Sequence, residues 1–259
     1  SARFFAGRSL ATAYTRLWFL KKGGFIHFQS DSGGSIFTWT LTKFGFSQIE
    51  TKLPELKEAG FKCEHMDHDL LVTAAHLGEW LLEEPIGADF VTEQELRRCY
   101  PESLPEWIPQ SQRHRPDGYW RIPFKEGFLA VALEVELNRK RASFYTGAAR
   151  FYEEHNEVSR VLWIVNGQPF ARALAEKFNA YLGSKAVIHN LVALKDFEKF
   201  GWSAPILFGA ESGKTIHFLL HPGSQTAPKH VWTQALLDTR KCPHRSKIYE
   251  ISTGGPSCN

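Results

Sequence analysis

The chain has 259 residues, a formal charge of +3, and 43% hydrophobic, 23% charged and 14% aromatic residues, the profile of a globular protein with one large domain or two smaller ones. No stretch approaches the roughly 18 consecutive apolar residues that span a bilayer, and the N-terminus lacks the basic, apolar and small-residue succession of a secretory leader. Secretion and membrane insertion are therefore not expected, and a cytoplasmic location is. Cys63, Cys99, Cys242 and Cys258 have no paired spacing, which speaks against a disulfide framework or a four-thiolate zinc site.

The small total hides a segregation of charge. Residues 1–62 carry +5, residues 63–111 carry −9 and residues 112–259 carry +7. Two basic blocks around an acidic one suggest two surfaces that face a polyanion and a spacer that does not, although charge also fluctuates along any chain. In the first block Leu10, Tyr14, Leu17 and Leu20 recur at helical spacing. Lys21 and Lys22 sit where cations favour a helix end, just before Gly23-Gly24. The aromatic and β-branched runs 25–29 and 36–41 flank a polar turn and predict a hairpin. Thr42 is placed to cap a short helix that would carry Phe44 and Phe46 inward.

Helix, basic end, hairpin and a further short helix is the order of a winged helix-turn-helix, here over residues 1–60. Ser9, Thr12, Thr15 and Arg16 would lie on its solvent face, with Lys21 and Lys22 beyond, as donors for phosphates and base edges. A plain solvated helix packed on a hairpin has the same pattern. Residues 61–111 read as an acidic helical connector. Cys63, His65 and His68 in it match no established zinc spacing, and a helix through Leu70, Leu71, Ala74, Ala75, Leu77, Trp80 and Leu81 accounts for the segment. A second helix begins near Thr92 with Glu95, Leu96 and Tyr100, and Pro101, Pro105 and Pro109 then impose a loop.

The third block, 112–245, carries the chemistry. After Arg115-Pro116-Asp117-Gly118 come a strand, a Lys125-Glu126-Gly127 turn and a run that alternates to its end. Leu129, Val131, Leu133, Val135 and Leu137 share one face, and Ala130, Ala132, Glu134 and Glu136 share the other, because strand side chains repeat every two residues. Burying two neighbouring carboxylates is costly unless a cation compensates. The hairpin would bring Asp117 towards them, and three converging acids are what one or two hard divalent cations take. Arg139, Lys140, Arg141 and Arg150 follow on a helix with Phe144, Ala148, Phe151 and Tyr152 on its apolar side, a setting suited to a polyanion. A glycosidase would need only two carboxyls, and the expected aromatic platform is missing.

Pro116-Asp117 followed after a hairpin by Glu134-Val135-Glu136 resembles the PD-(D/E)xK nuclease superfamily. With the winged helix, His68-Asp69-Leu70, Arg115-Pro116-Asp117-Gly118 and the run 133–137, residues 1–210 also look like the replication-relaxation type of proteins of plasmids and other mobile elements. The resemblance implies an α/β chain (α+β overall), a winged helix-turn-helix followed by a restriction-endonuclease-like domain with a central mixed sheet. It implies double-stranded DNA as partner, no membrane, a homodimer as an option, and Mg²⁺ or Mn²⁺ as cofactor held by Asp117, Glu134 and Glu136. The superfamily's lysine position is Glu136 here. Glu136 would then help hold metal or deprotonate the attacking water, and Lys140 would supply the missing positive charge. Glu95 matches an acid that some members supply from their first helix. A non-catalytic DNA-binding factor that keeps the nuclease fold is the competing expectation, and a protein-binding module a third.

Gly209 to Thr215 falls one residue short of a phosphate-binding loop, and Ile216–Leu220 after it reads as a strand rather than the required helix. Cys242 and His244 have no second ligand pair, and 246–259 reads as a tail.

Overall fold

The computed structural model describes residues 10–30, 37–52, 66–77, 88–109, 111, 113–125 and 127–221. Ser9, Cys63, His65, Trp80, Leu81, Cys242, His244 and the tail 246–259 lie outside the described residues.

The N-terminal elements form as the periodicity requires. Helix α1 (Leu10–Lys22) ends on its two lysines, and strands β1 (Ile26–Ser30) and β2 (Phe37–Leu41) pair antiparallel with Ile26 opposite Leu41. Thr42 caps helix α2 (Lys43–Ser47), accepting a hydrogen bond from the Gly45 amide at 2.9 Å. A side chain at Gly45 would place its Cβ 1.8 Å from the Phe25 carbonyl, so only glycine lets α2 close on the hairpin. Phe46 turns inward. Phe44 does not: it is 52% exposed and packs its ring beside Phe25 at 5.1 Å, because a two-residue step on a helix turns the side chain to a different face.

The larger unit is built on a five-stranded mixed sheet. Its strands are β3 (Asp89–Thr92), β4 (Gly118–Phe124), β5 (Gly127–Glu136), β6 (Arg160–Val165) and β7 (His189–Ala193), in sequence order across the sheet. β3, β4 and β5 are antiparallel neighbours, and β5, β6 and β7 are parallel. The two parallel crossovers are helices α5 (Ala142–Glu154) and α6 (Gln168–Leu182), as parallel pairing demands. Both helices bury their apolar sides in one cluster with Ala132, Trp163 and Val165. The opposite face, with Val131, Leu133, Val135 and Ile164, is covered by helix α3 (Met66–Leu77) and by the segment after β7. With both faces covered, β6 is apolar from Val161 to Val165, and β7 is buried along its whole length, including the polar His189 and Asn190.

The acidic stretch is not a connector. Leu71, Val72, Ala74 and Ala75 of α3 join the core of the sheet, and the Trp120 and Trp202 indoles donate to the His76 and Ala75 carbonyls at 2.8 Å each. β3 is the edge strand. Helix α4 (Glu93–Arg98) follows it with a complete capping box, in which the Glu95 carboxylate accepts from Thr92 and the Thr92 hydroxyl accepts from the Glu95 amide. Among its described acids Asp89, Glu95, Glu102 and Glu106 are exposed while its apolar residues join the core, so net charge misreads its place. After β7 come helix α7 (Leu194–Phe200) and helix α8 (Ile216–Leu220). The expected strand at 216–220 is this helix: Thr215 caps it, and Ile216, Leu219 and Leu220 fall at helical spacing on the core. No helix among the described residues is long and apolar enough to cross a membrane.

Candidate active site

Asp117 sits just before β4, and Glu134 and Glu136 close β5, so antiparallel pairing brings all three to one end of these two interior strands, the carboxylate edge of the site. Gly118 is opposite Leu133, which sets Asp117 opposite Glu134. Asp117 is held from several sides. Its amide donates to the Leu133 carbonyl at 2.9 Å, its carbonyl accepts from Glu93 at 3.2 Å, and its Oδ2 accepts from the Val135 amide at 2.5 Å. The side chain thus extends the β4–β5 ladder by one rung.

Each acid is set against its own basic side chain. His68 Nε2 lies 3.5 Å from Asp117 Oδ1 and donates to the Val135 carbonyl at 3.1 Å, while its Nδ1 faces Asp69 at 3.7 Å. Burial by itself lowers the His68 pKa. The bonds to Asp117 and Asp69 overcome that effect and raise it to about 10, so His68 is an imidazolium. Glu134, its side chain 4% exposed, accepts at Oε1 from His114 Nε2 and from the Tyr152 hydroxyl, each at 2.5 Å. Burial opposes protonation of His114, and the Glu134 charge reverses the balance and raises its pKa. Phe144, Phe151 and Tyr152 enclose the His114 ring edge-on or tilted. Burial and the adjacent Glu134 hold the Tyr152 phenol well above its ordinary range.

Glu136 is 2% exposed and pairs with Lys140 Nζ at 2.7 Å. Burial raises its pKa to about 7 against the opposing pull of Lys140. The Lys140 ammonium also lies 4.0 Å from the centre of the Phe144 ring, and the Lys140 amide donates to the Tyr145 hydroxyl. Glu93, the first residue of α4, is raised by burial and by the nearby Asp117. Glu95 is not part of this group, since its carboxylate is spent on the α4 cap.

The donor chemistry fits Mg²⁺ or Mn²⁺: three carboxylates at one end of paired strands are oxygen ligands of the kind a hard divalent cation takes. They are not gathered round a point. Among the described residues, the side chains whose ligand atoms all lie within 4.8 Å of one another are His68, Asp69 and Glu93, whereas Asp117, Glu134 and Glu136 each turn to a separate basic side chain. An ion shared by these three would have to replace His68, His114 and Lys140 as their partners.

The expected DNA-contacting residues divide between the two units. Arg139 and Arg141 are exposed beside Lys140 on the turn into α5, with the Arg139 guanidinium 5.6 Å from the centre of Phe170. Arg150 is exposed further along α5, its Nε donating to the Tyr181 hydroxyl at 3.2 Å. On α1, Thr15, Arg16, Lys21 and Lys22 are exposed and Thr12 is partly so. The Lys22 ammonium lies 5.1 Å from the centre of Trp18.

Sequence reasoning missed His114, Tyr152, Glu93 and the role of His68. His114 stands directly before Arg115-Pro116-Asp117, so its place in the chain was a usable signal. Tyr152 looked like one more apolar residue of α5, and only the packing of α5 on β5 aims its hydroxyl at Glu134. The chain matches no family model, no curated protein and no solved structure.

Proposed function

We propose that this chain is a DNA-binding protein whose α/β unit acts on the phosphodiester backbone at the Asp117, Glu134 and Glu136 edge, as a metal-dependent nuclease of the mobile-element type would. One observation carries the reading. Asp117, Glu134 and Glu136 lie at one end of the paired strands β4 and β5 with Lys140 beside Glu136, and the two glutamates are buried where an ordinary core strand would hold aliphatic residues. The strand and helix order, three antiparallel strands followed by two parallel ones with helical crossovers, supports the nuclease-like fold suggested by the motif.

A bound Mg²⁺ would neutralise phosphoryl charge and lower the pKa of a water. Asp117 and Glu134 would be its ligands once released from His68 and His114. The Glu136 carboxyl, titrating near neutrality, can take a proton from the attacking water, since a general base works best with a pKa close to the working pH. Lys140, Arg139 and Arg141 border it and can hold the strand. The basic side chains of α1, on a stretch with no acid between residues 10 and 30, would contact duplex DNA.

The pairing of each acid with its own basic side chain favours a second reading, a DNA-binding accessory factor that keeps the fold without hydrolysis. Incubation with supercoiled plasmid and Mg²⁺ separates the two. Nicking abolished by Glu134→Gln supports the catalytic reading. Salt-sensitive binding with no nicking, indifferent to chelation, supports the accessory one. Absence of DNA binding overturns both.

A further inference from the structure

The edge that carries the acids borders a cleft between α4 and the Pro-rich segment before β4. Leu104 and Tyr119 form part of its apolar wall, and Arg97, Ser111, His114 and Arg115 its polar one. None of its lining residues among those described is acidic. Arg115 is exposed and forms no ion pair among the described residues. Arg97 is within electrostatic reach of Glu93. The cleft is joined to the acids in two ways: His114 belongs to its wall and donates to Glu134 at 2.5 Å, and Pro116 of the same wall directly precedes Asp117.

We infer that this cleft is an anion subsite that holds one phosphate of a nucleic-acid strand beside the carboxylate edge. It deepens the proposed function and rests on it for the identity of the strand. Arg115 is the principal contact. Its planar fork of donors matches two phosphate oxygens at once, which gives both strength and orientation. Arg97 adds a second guanidinium and Ser111 a hydroxyl. The apolar wall of Leu104 and Tyr119 suits the sugar attached to that phosphate. A strand anchored there would have its neighbouring phosphodiester carried towards Asp117 and Glu134, so the subsite positions the bond that the edge would attack. The carboxylates behind His114 repel free anions. An isolated phosphate therefore binds more weakly than one tethered in a strand.

The test uses the full chain in the presence of a chelator, with calorimetry as the readout and four probes: an end-phosphorylated thymidine dinucleotide, the same dinucleotide without the end phosphate, thymidine, and inorganic phosphate. The expected order places the phosphorylated dinucleotide first, inorganic phosphate as a weak competitor and thymidine without detectable binding. Arg115→Ala should weaken the phosphorylated dinucleotide about tenfold, the size of one good charge-assisted contact, and Arg115→Lys should recover part of the loss. Arg113→Ala, at an exposed arginine of the same segment that pairs with Glu154 at 3.0 Å and does not line the cleft, should not weaken it. Equal binding by Arg115→Ala and the unsubstituted protein, or thymidine binding as tightly as its phosphorylated dinucleotide, overturns the subsite. Plasmid nicking is read separately. No nicking with Arg115-dependent binding intact removes the catalytic reading and leaves the subsite, whereas nicking with Arg115-independent binding does the reverse.

Discussion

Glu136→Gln should stabilise the protein above neutral pH. The Glu136 side chain is 2% exposed and its carboxyl titrates at about 7 instead of 4.5, burial outweighing Lys140. An acid whose pKa is raised by folding holds its proton more tightly in the folded chain. The stability that goes with the neutral form is complete below pH 4.5 and is lost as pH rises through about 7, beyond which the loss is constant. At about 1.4 kcal/mol per pKa unit, the gap between 4.5 and about 7 corresponds to about 3 kcal/mol. Glutamine has the shape of the neutral acid and never ionises, so the variant escapes that loss. Its advantage should be near zero at pH 4.5 and about 3 kcal/mol at pH 8, equivalent to a rise of about 6–12 °C in Tm for a unit of this size. Thermal and urea unfolding of both proteins between pH 4.5 and 8.5 measures it. A variant less stable than the parent at pH 8, or a difference that does not change with pH, refutes the reasoning. Retaining a destabilising charge at this position is what a site selected for chemistry rather than stability would do.

The remaining expectations concern other parts of the same framework. His68 should titrate at about 10 in a proton NMR series, and a midpoint near 6.5 would mean that its contacts with Asp117 and Asp69 do not hold in solution. Its contribution to stability is complete below pH 6.5 and is lost as pH rises through about 10, because its pKa is raised by folding. Lys140→Met removes the cation from Glu136 and should destabilise the protein by about 1–3 kcal/mol at pH 8 and by much less at pH 5, where Glu136 is protonated; equal losses at both values would argue for lost packing instead. Gly209→Ala should unfold the region after β7. Gly209 has φ of 112°, and a Cβ there would lie 2.4 Å from the His189 carbonyl oxygen, so circular dichroism melts should show a loss of several degrees, about 2 kcal/mol or more.

Local pattern determined most of the elements by itself. The alternation from Leu129 to Leu137 predicts β5, the turn at Lys125 to Gly127 predicts its hairpin with β4, and Thr42 and Thr92 predict the starts of α2 and α4, because these signals act within a few residues. The alternation of β5 makes Glu134 and Glu136 legible as neighbours and its hairpin with β4 brings Asp117 to the same end, whereas the role of Lys140 is implied only by the resemblance to the nuclease superfamily. Segments whose identity depends on distant partners were not legible. The run 216–220 is as apolar as a strand, and it is a helix because Thr215 caps it and the core accepts Ile216, Leu219 and Leu220 from one side. The acidic stretch carries −9 in charge yet supplies α3 and an edge strand, since packing reads only its inner face.

Tertiary structure alone decided how the acids are treated. A strand pattern can state that Glu134 and Glu136 share a face. It cannot state that His114, some 20 residues earlier in the chain, and Tyr152, 18 residues later, meet on one oxygen of Glu134, or that His68 reaches Asp117 from a helix on the far side of the acidic segment. Those partners are brought together by chain crossings of the sheet, and their distances in sequence carry no periodicity from which to read them. The electrostatic character of the site, with one basic side chain set against each carboxylate, is therefore a property of the folded chain, whereas the choice and spacing of the carboxylates is a property of the sequence.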